Sequence, residues 1–237
     1  MTGIFITATG TDIGKTYLTS QLLRFDRQHD RCLLASKPVI SGWPENEKDI
    51  QHTDTGILLQ AQELPINKES IAQCSPWRYR LALTPSMASV QSTPLEETAL
   101  MGYCEELLNY AKRQNKVQLI EGVGGVMSPL TQQWTNLDWI KALKIPCILV
   151  TGSYLGALSH TLTAMVALQS KAIPVLAVVV SETKESTVGL NETVKTLTEF
   201  LPTIPVLPLA YICSSDVAMV YSCALKVTRK ALSCDLA

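Results

Sequence analysis

Residues 3–19 read Gly-Ile-Phe-Ile-Thr-Ala-Thr-Gly-Thr-Asp-Ile-Gly-Lys-Thr-Tyr-Leu-Thr, and this stretch decides the fold. An apolar run at residues 4–6 predicts a strand, small residues predict a loop, and a helical pattern covers Leu18 to Phe25. Gly-Lys-Thr at the start of a helix that follows a strand is typical of a phosphate-binding loop. Backbone N–H groups and the helix dipole face the anion there. Lys15 would reach the β- and γ-phosphates of a nucleotide, and Thr16 would offer a hydroxyl to Mg²⁺.

The spacing of the loop glycines differs from the usual pattern. That pattern places four residues between its first glycine and Gly-Lys-Thr, whereas only three residues lie between Gly10 and Gly14, and Ala8 stands further back. An alanine costs about 1 kcal/mol or more where a positive φ is required, and nothing where it is not. The consequence of Ala8 therefore depends on the backbone conformation at that position.

Length and composition limit the classes of function. A chain of 237 residues predicts one α/β domain spanning residues 1–237. It is 46% hydrophobic and 17% charged with a net charge of −1, which provides a core but no field for nucleic acid or anionic membrane. We find no signal-peptide pattern and no apolar run near the ~18 residues that span a bilayer. The seven scattered cysteines never form Cys-x-x-Cys, so we expect reduced thiols in a cytoplasmic protein with no nucleic-acid or membrane partner.

Apolar strands alternate with helical patterns along the chain. We predict further strands at 31–39, 116–121, 146–151, 174–181 and 204–207, and helices at 54–61, 94–115, 136–143, 156–170, 190–200 and 217–232. Residues 40–53 are predicted as a loop, residues 62–92 as short helical pieces and turns, and Asp54 as the N-cap of its helix. Continuous apolar strands separated by helices predict an α/β fold with a doubly wound, mostly parallel sheet and helices on both faces.

Polar residues follow several predicted strands. Lys15 and Thr16 follow the first strand. Lys37 ends the second with Ser41 just beyond it, and Glu121 ends the strand before Gly122. Ligands bind beyond the carboxyl ends of parallel strands, so these side chains should converge. Glu121 occupies the position of a metal-holding carboxylate in phosphate-loop enzymes.

Simpler interpretations of individual residues remain open at this point. Glu121 could be an exposed residue at a strand end, Asp54 a plain helix cap and Lys37 a solvated lysine. His160 lies in an apolar helical run, which favours a core or interface histidine over a ligand. We assign no role to the remaining histidines, His29 and His52.

Five segments together resemble the dethiobiotin synthetase family over roughly residues 3–200. They are residues 5–16, Lys-Pro-Val-Ile-Ser-Gly at 37–42, Thr53-Asp54, Ile-Glu-Gly-Val-Gly-Gly at 120–125, and Leu155-Gly156 with His160. In that family the loop has five residues between its leading glycine and Gly-Lys-Thr, so Ala8 stands at the leading position. The resemblance implies ureido ring closure on 7,8-diaminononanoate with CO2 and ATP. One amine takes up CO2 as a carbamate, a carbamate oxygen attacks the γ-phosphate, and the second amine displaces phosphate.

The resemblance also implies roles for individual residues. Thr16, Asp54 and Glu121 would hold Mg²⁺, and Lys15, Lys37, Thr11 and Ser41 would act on the reacting groups. The implied nucleotide contacts are Asp12, Ile13, Gly14, Lys15, Thr16, Tyr17, Glu121, Gly124 and Ser181. Asp12, where the family commonly has Glu, and Ser41 would bind the diamine. The substrate carboxylate would lie at a helix N-terminus formed by Gly156, Ala157, Leu158 and Ser159, across the interface of a homodimer.

Three alternative functions remain. A ParA/MinD-like switch ATPase would carry an extra lysine early in the loop, and residues 8–13 contain none. A cobyrinate-type ligase is usually longer because it includes a glutaminase domain. A non-catalytic relative would be consistent with Ala8 and with Ser181-Glu182, where the family often has Asn-Asp facing the adenine.

Overall fold

Six parallel strands form the main sheet in the computed structural model, which describes residues 2–91, 93–211 and 213–234. In chain order the strands are β1 (Gly3–Ala8), β2 (Leu33–Ser36), β3 (Val39–Ser41), β4 (Trp77–Tyr79), β5 (Val117–Glu121), β6 (Cys147–Gly152), β7 (Val175–Ser181) and β8 (Val206–Leu209). The main sheet has the order β2-β5-β1-β6-β7-β8, and β3 pairs with β4 in a separate small sheet. Each pairing between these strands is parallel.

Helices cover both faces of this sheet. They are α1 (Lys15–Arg27), α2 (Asp54–Ala61), α3 (Lys68–Cys74), α4 (Pro85–Ala88), α5 (Glu97–Arg113), α6 (Asn136–Leu143), α7 (Ala157–Ser170), α8 (Leu190–Phe200) and α9 (Ser214–Cys234). One buried cluster joins the sheet to α1, α2 and α9, for example through Leu22, Leu58 and Val220. A second joins the opposite face to α5, α6 and α7 through residues such as Leu100 and Trp139. The predicted fold class is confirmed.

The central strand β1 positions the candidate site. It pairs with β5 so that Ile6 lies opposite Glu121, and with β6 so that Ala8 lies opposite Val150. Every residue of these three strands is buried, as expected for a parallel sheet covered on both faces. The carboxyl ends of β1, β2 and β5 therefore meet at one edge, where α1 begins.

The predicted strand at residues 31–39 is divided in two. It ends at Ser36, and Val39–Ser41 forms β3, although residues 40–53 were predicted as a loop. Pro38 lacks the N–H that a ladder requires, which explains the break. Strand β4 and the 3-10 turn at Glu47–His52 were also not predicted. At the sheet edge β8 lies two residues later than predicted, and an edge strand tolerates its Pro208.

The N-cap of α2 is Thr53, so the prediction of Asp54 as the cap is wrong. The Thr53 hydroxyl accepts the Gly56 N–H at 3.1 Å, and Asp54 is the first helical residue. Threonine and aspartate are both good caps, so their side-chain chemistry could not separate the two positions. The Asp54 carboxylate instead bonds Lys37.

The described residues answer only part of several predictions that were made for the whole chain. Cys32, Cys74, Cys104, Cys147, Cys213 and Cys223 form no disulfide, while the side chain of Cys234 lies outside the described residues. No helix in the described ranges has the length and apolar character needed to cross a membrane. The α9 helix begins at Ser214, three residues before its predicted start. That residues 1–237 form one domain stays a prediction.

Candidate active site

The phosphate loop begins without strain at Ala8. This residue is fully buried, ends β1 in extended conformation and does not have a positive φ. Its carbonyl accepts the Val126 N–H at 2.8 Å, which joins the loop to the segment after β5. Because no positive φ is required at this position, alanine carries no conformational penalty here.

The loop presents unpaired N–H groups at the start of α1. The backbone N–H groups of residues 10–16 donate no hydrogen bond to the described part of the chain. Gly14 caps α1 with φ 102°, and a side chain there would come within 2.6 Å of the Ser181 hydroxyl. Unpaired N–H groups at a helix N-terminus are a site for an anion such as phosphate.

Lys15 has a neutral partner in this loop. Its ammonium donates to the Gly10 carbonyl at 3.0 Å, and the residue is 5% exposed. Burial, together with the nearby positive charge of Lys37, lowers the pKa of Lys15 to about 8. An anion bound in the loop would favour the charged form of this lysine.

Lys37 bridges two carboxylates at the carboxyl ends of the strands. Its ammonium lies 2.6 Å from Asp54 Oδ2 and 2.8 Å from Glu121 Oε1. Burial alone would lower the pKa of Lys37, but the charges of Glu121 and Asp54 outweigh it and hold the pKa above its usual value. Burial would likewise raise the pKa of Asp54, but Lys37 outweighs it and holds that pKa low. Lys37 and Asp54 are therefore charged near neutral pH.

Three oxygen-bearing side chains fit a divalent cation. The Thr16 hydroxyl donates to Glu121 Oε1 at 2.6 Å, so these residues already meet. Glu121 is fully buried, and its second oxygen, Oε2, finds no hydrogen-bond partner among the described residues. The Asp54 carboxylate remains partly exposed beside them. A hydroxyl and two carboxylates are the hard oxygen ligands that Mg²⁺ prefers.

A cavity of about 800 Å³ lies over these groups, within the size range of small-molecule sites. The predicted site residues that line it are Thr11, Asp12, Ile13, Gly14, Lys15, Thr16, Tyr17, Lys37, Ser41, Asp54 and Gly124. Glu121 does not line the cavity, but it bonds Thr16 and Lys37, which do. Ser181 does not line it either and lies beside Gly14. The Ser41 hydroxyl is buried without a hydrogen-bond partner in the described chain. The predicted convergence at this edge is confirmed.

The four residues predicted to bind the substrate carboxylate do not line this cavity. Gly156 caps α7 with φ 97°, and Gly156, Leu158 and Ser159 are exposed while Ala157 is buried. His160, which was expected to be a core or interface histidine, is exposed and lies 2.9 Å from the Tyr154 hydroxyl. One chain therefore does not bring the start of α7 into the cavity.

Other cavity residues carried no recognisable pattern in the sequence. Asp49 and His52 come from the 3-10 turn, and Ser128 comes from the segment after β5. The segment Lys37-Pro-Val-Ile-Ser-Gly indicated polar residues at a strand end. No pattern in the sequence around Asp49, His52 or Ser128 indicated a site residue. The Tyr17 ring, which lines the cavity, stacks on Tyr211 at 5.2 Å between ring centroids. These contacts join residues far apart in the sequence.

Comparison with known proteins connects this geometry to a family. A family model described as an AAA domain matches residues 2–211. An ATP-dependent dethiobiotin synthetase BioD from Methylobacterium nodulans is 45% identical over 185 residues, which is 77% of this chain and 82% of that protein. A second, from Caulobacter sp. (strain K31), is 38% identical over 208 residues, 86% of each chain.

Solved structures resemble the chain in fold alone. HypB from Helicobacter pylori, in complex with nickel, gives a TM-score of 0.56 at 11% identity and covers 98% of this chain and 88% of its own. The MinC:MinD complex of Aquifex aeolicus gives 0.51 at 12% identity, covering 89% and 81%. The named relatives favour a biosynthetic ligase over the switch ATPase and the cobyrinate-type enzyme. The chain therefore belongs to the ATP-dependent dethiobiotin synthetase family, whose members are ATP-dependent ligases.

Proposed function

We propose that the chain carboxylates 7,8-diaminononanoate with CO2 and closes its ureido ring at the expense of ATP, giving dethiobiotin, ADP and phosphate. The observation that carries the proposal is that unpaired loop N–H groups, two lysines and the Asp54 carboxylate meet at one cavity, with the Glu121 carboxylate bonded to Lys37 behind them. Anionic carbamate must approach anionic phosphate in this reaction, so neutralisation and positioning supply the rate.

The two lysines act on the reacting anions. The phosphates lie against the N–H groups of residues 10–16, and Lys15 leaves the Gly10 carbonyl to pair with the β- and γ-phosphates. Lys37 lies deeper, where Asp54 and Glu121 keep it charged, and it faces the oxygen transferred between carbamate and phosphate. Thr16, Asp54 and Glu121 would hold Mg²⁺, which would supply further neutralisation of the phosphate charge.

The diamine lies on the side of the cavity opposite the nucleotide base. Asp12 attracts the amines, while Thr11 and the partnerless Ser41 hydroxyl bond the carbamate. The carbon chain then leads to a carboxylate held by residues 156–159 of the second subunit of a homodimer. The exposure of Gly156, Leu158 and Ser159 in one chain supports this arrangement, because these residues are free to meet another subunit.

The nucleotide base lies near Ser181 and Glu182, where we propose a preference for ATP over GTP. Ser181 contacts Gly14, so the end of β7 borders the phosphate loop. The Glu182 carboxylate accepts the Tyr211 N–H at 2.9 Å through Oε2. Equal steady-state turnover of GTP and ATP would contradict the preference without affecting the proposed reaction.

The product itself tests the proposal. The purified protein is incubated with diaminononanoate, ¹³C-bicarbonate, Mg²⁺ and ATP, and the products are analysed by mass spectrometry. We expect dethiobiotin that carries one ¹³C atom, together with equal amounts of ADP and phosphate. A product without the label, or ATP hydrolysis without ring closure, would contradict the proposed function.

A further inference from the structure

The segment after β5 forms a wall of the cavity and packs on the phosphate loop. Val123, Gly124 and Ser128 line the cavity. A side chain at Gly125 would come within 3.1 Å of the Thr9 carbonyl, so a larger residue there would require the phosphate loop to shift by a few tenths of an ångström. We name residues 122–128 the wall loop.

Backbone hydrogen bonds fix the wall loop to β1. The Gly122 N–H donates to the Ile6 carbonyl at 3.0 Å, and the Val126 N–H donates to the Ala8 carbonyl at 2.8 Å. These two bonds hold the ends of the glycine segment. The peptide groups between Gly122 and Val126 take no part in these two bonds, so a different part of the chain has to hold them.

Asn136, the first residue of α6, holds the middle of the wall loop. It is fully buried, and its side-chain amide donates to the Val123 carbonyl at 2.5 Å and to the Gly125 carbonyl at 2.7 Å. Both partners are acceptors, so the amide nitrogen must face them. The backbone N–H of Asn136 also donates to the Ser128 carbonyl at 3.1 Å. The side chain therefore bonds the carbonyls on both sides of Gly124.

This anchoring sets the direction of one N–H group. The peptide bond between Val123 and Gly124 is trans, so its carbonyl and its N–H point in opposite directions. With the carbonyl turned to buried Asn136, the Gly124 N–H points away from α6. That N–H donates no hydrogen bond to the described chain, and Gly124 lies at the cavity wall. The φ of Gly124 in this geometry is 68°, which glycine adopts without steric cost because it has no Cβ.

We propose that Asn136 is a positioning residue which fixes the 123–124 peptide so that the Gly124 N–H donates to the transferring phosphate. The inference rests on the proposed function. Helix α6 then affects the phosphate transfer through Asn136, although no residue of α6 contacts the phosphate. A preorganised N–H donor lowers the barrier because it needs no reorientation while charge moves. The effect should therefore fall on kcat more than on ATP binding.

Asn136→Ala tests the proposal, with Thr135→Ala as the matched control. Thr135 caps the same helix through Asp138, and its side chain bonds no residue of the wall loop. We expect Asn136→Ala to lower kcat at least about tenfold while KM for ATP changes less than about threefold. Thr135→Ala should lower the melting temperature by about 3 °C and keep kcat within about twofold of the wild type. Asn136→Ser, which retains one donor, should lie between Asn136→Ala and the wild type.

Amide hydrogen exchange of the wild type gives a second readout that needs no variant. Exchange at Gly124 should slow at least about tenfold when AMP-PNP and Mg²⁺ bind, because the N–H becomes paired. A folded Asn136→Ala with kcat within twofold of the wild type, or unchanged exchange at Gly124, would overturn the proposal. Ring closure by the wild type is measured first. Its absence would contradict the proposed function, and the exchange measurement would then test separately whether the Gly124 N–H pairs with the bound nucleotide.

Discussion

The phosphate end of the cavity and the start of α7 differ in how many of their partners one chain supplies. At the phosphate end, Lys37 and Glu121 are buried and bonded to each other and to neighbouring elements. At the start of α7, Gly156, Leu158 and Ser159 face solvent. Both regions are helix N-termini with a glycine in the left-handed conformation, at Gly14 and Gly156. Similar local structure therefore occurs in one region whose buried charges are paired within the chain and in one region whose residues face solvent.

The difference teaches where charge can be held without a ligand. Buried charges persist only when paired, and Lys37 with its two carboxylates satisfies that condition within the chain. The exposed N-terminus of α7 needs no such partner, because water satisfies its N–H groups. We therefore expect changes at the phosphate end to abolish turnover and changes at α7 to weaken substrate binding.

Loss of Lys15 should give the largest effect. Lys15→Ala should lower kcat about a thousandfold, since the charge that meets the phosphates is gone. The melting temperature should not fall, because among the described residues the ammonium bonds only the neutral Gly10 carbonyl and burial disfavours its charge. Lys171→Ala, which removes an exposed ion pair with Asp138 at 3.6 Å, should leave both quantities unchanged. Turnover above a tenth of the wild type in Lys15→Ala would contradict this role.

Lys37→Ala is a less clean test of the same region. Removing Lys37 leaves the buried Glu121 and the neighbouring Asp54 without their shared cation. Breaking a buried pair in this way costs about 3–5 kcal/mol of stability. Inactivity of that variant could therefore reflect unfolding.

Glu121→Gln should have the next largest effect. The amide keeps the shape and an acceptor for Thr16 and Lys37 but lacks the negative charge. We expect kcat to fall about a hundredfold and the Mg²⁺ concentration for half-maximal rate to rise. Glu97→Gln is the control, because the Glu97 carboxylate is exposed and, in the part of the chain that the structure describes, bonds only the Thr131 hydroxyl. An unchanged Mg²⁺ requirement in Glu121→Gln would remove Glu121 from the metal site.

Ser159→Glu sharpens the contrast at α7. A carboxylate in the first turn favours the helix but repels the carboxylate of the substrate. KM for the diamine should rise about tenfold or more, while the affinity for ATP stays the same. Ser159→Gln, which adds the same bulk without charge, should stay close to the wild type. If Ser159→Glu weakened ATP binding and left KM for the diamine unchanged, the substrate carboxylate would bind elsewhere.

The smallest of these effects should be the change in the Kd for ATP with pH near neutrality. Burial and Lys37 lower the pKa of Lys15 to about 8 in the free protein, so its charge is lost as pH rises through about 8. Binding phosphate requires the charged form, so Kd should change less than about threefold from pH 7 to 8 and about tenfold per unit above it. Calorimetric titration with the Lys15→Ala variant, which should show no such rise, is the control.

The same pKa has a consequence for stability with the opposite direction. The unfolded chain binds a proton at Lys15 up to about pH 10.5, whereas the folded chain releases it near pH 8. The contribution of Lys15 to the free energy of unfolding should therefore rise with pH between those values.

The sequence predicted the parts that follow from general rules for parallel sheets. Lys15, Lys37 and Glu121 could be placed together because each lies at or after the end of a strand, and the carboxyl ends of parallel strands share an edge. The choice between Thr53 and Asp54 as a cap could not be made, since both side chains suit that position. Asn136 and Ser128 carried no signal, because their contacts join segments that only the folded chain brings together. Residues 156–159 do not line the cavity of one chain, so their role at a subunit interface stays a prediction.

Mixing two defective variants tests most directly whether the phosphate end and α7 of different subunits form one site. Lys15→Ala and Ser159→Glu are each assayed alone, at a diamine concentration where both are nearly inactive, and then after co-expression. Random pairing makes half of the dimers mixed, and each mixed dimer has one intact site, so activity should recover to about a quarter of the wild type. If both regions of a site came from the same chain, the mixture would stay as inactive as the separate variants, and the account of a shared site would be wrong.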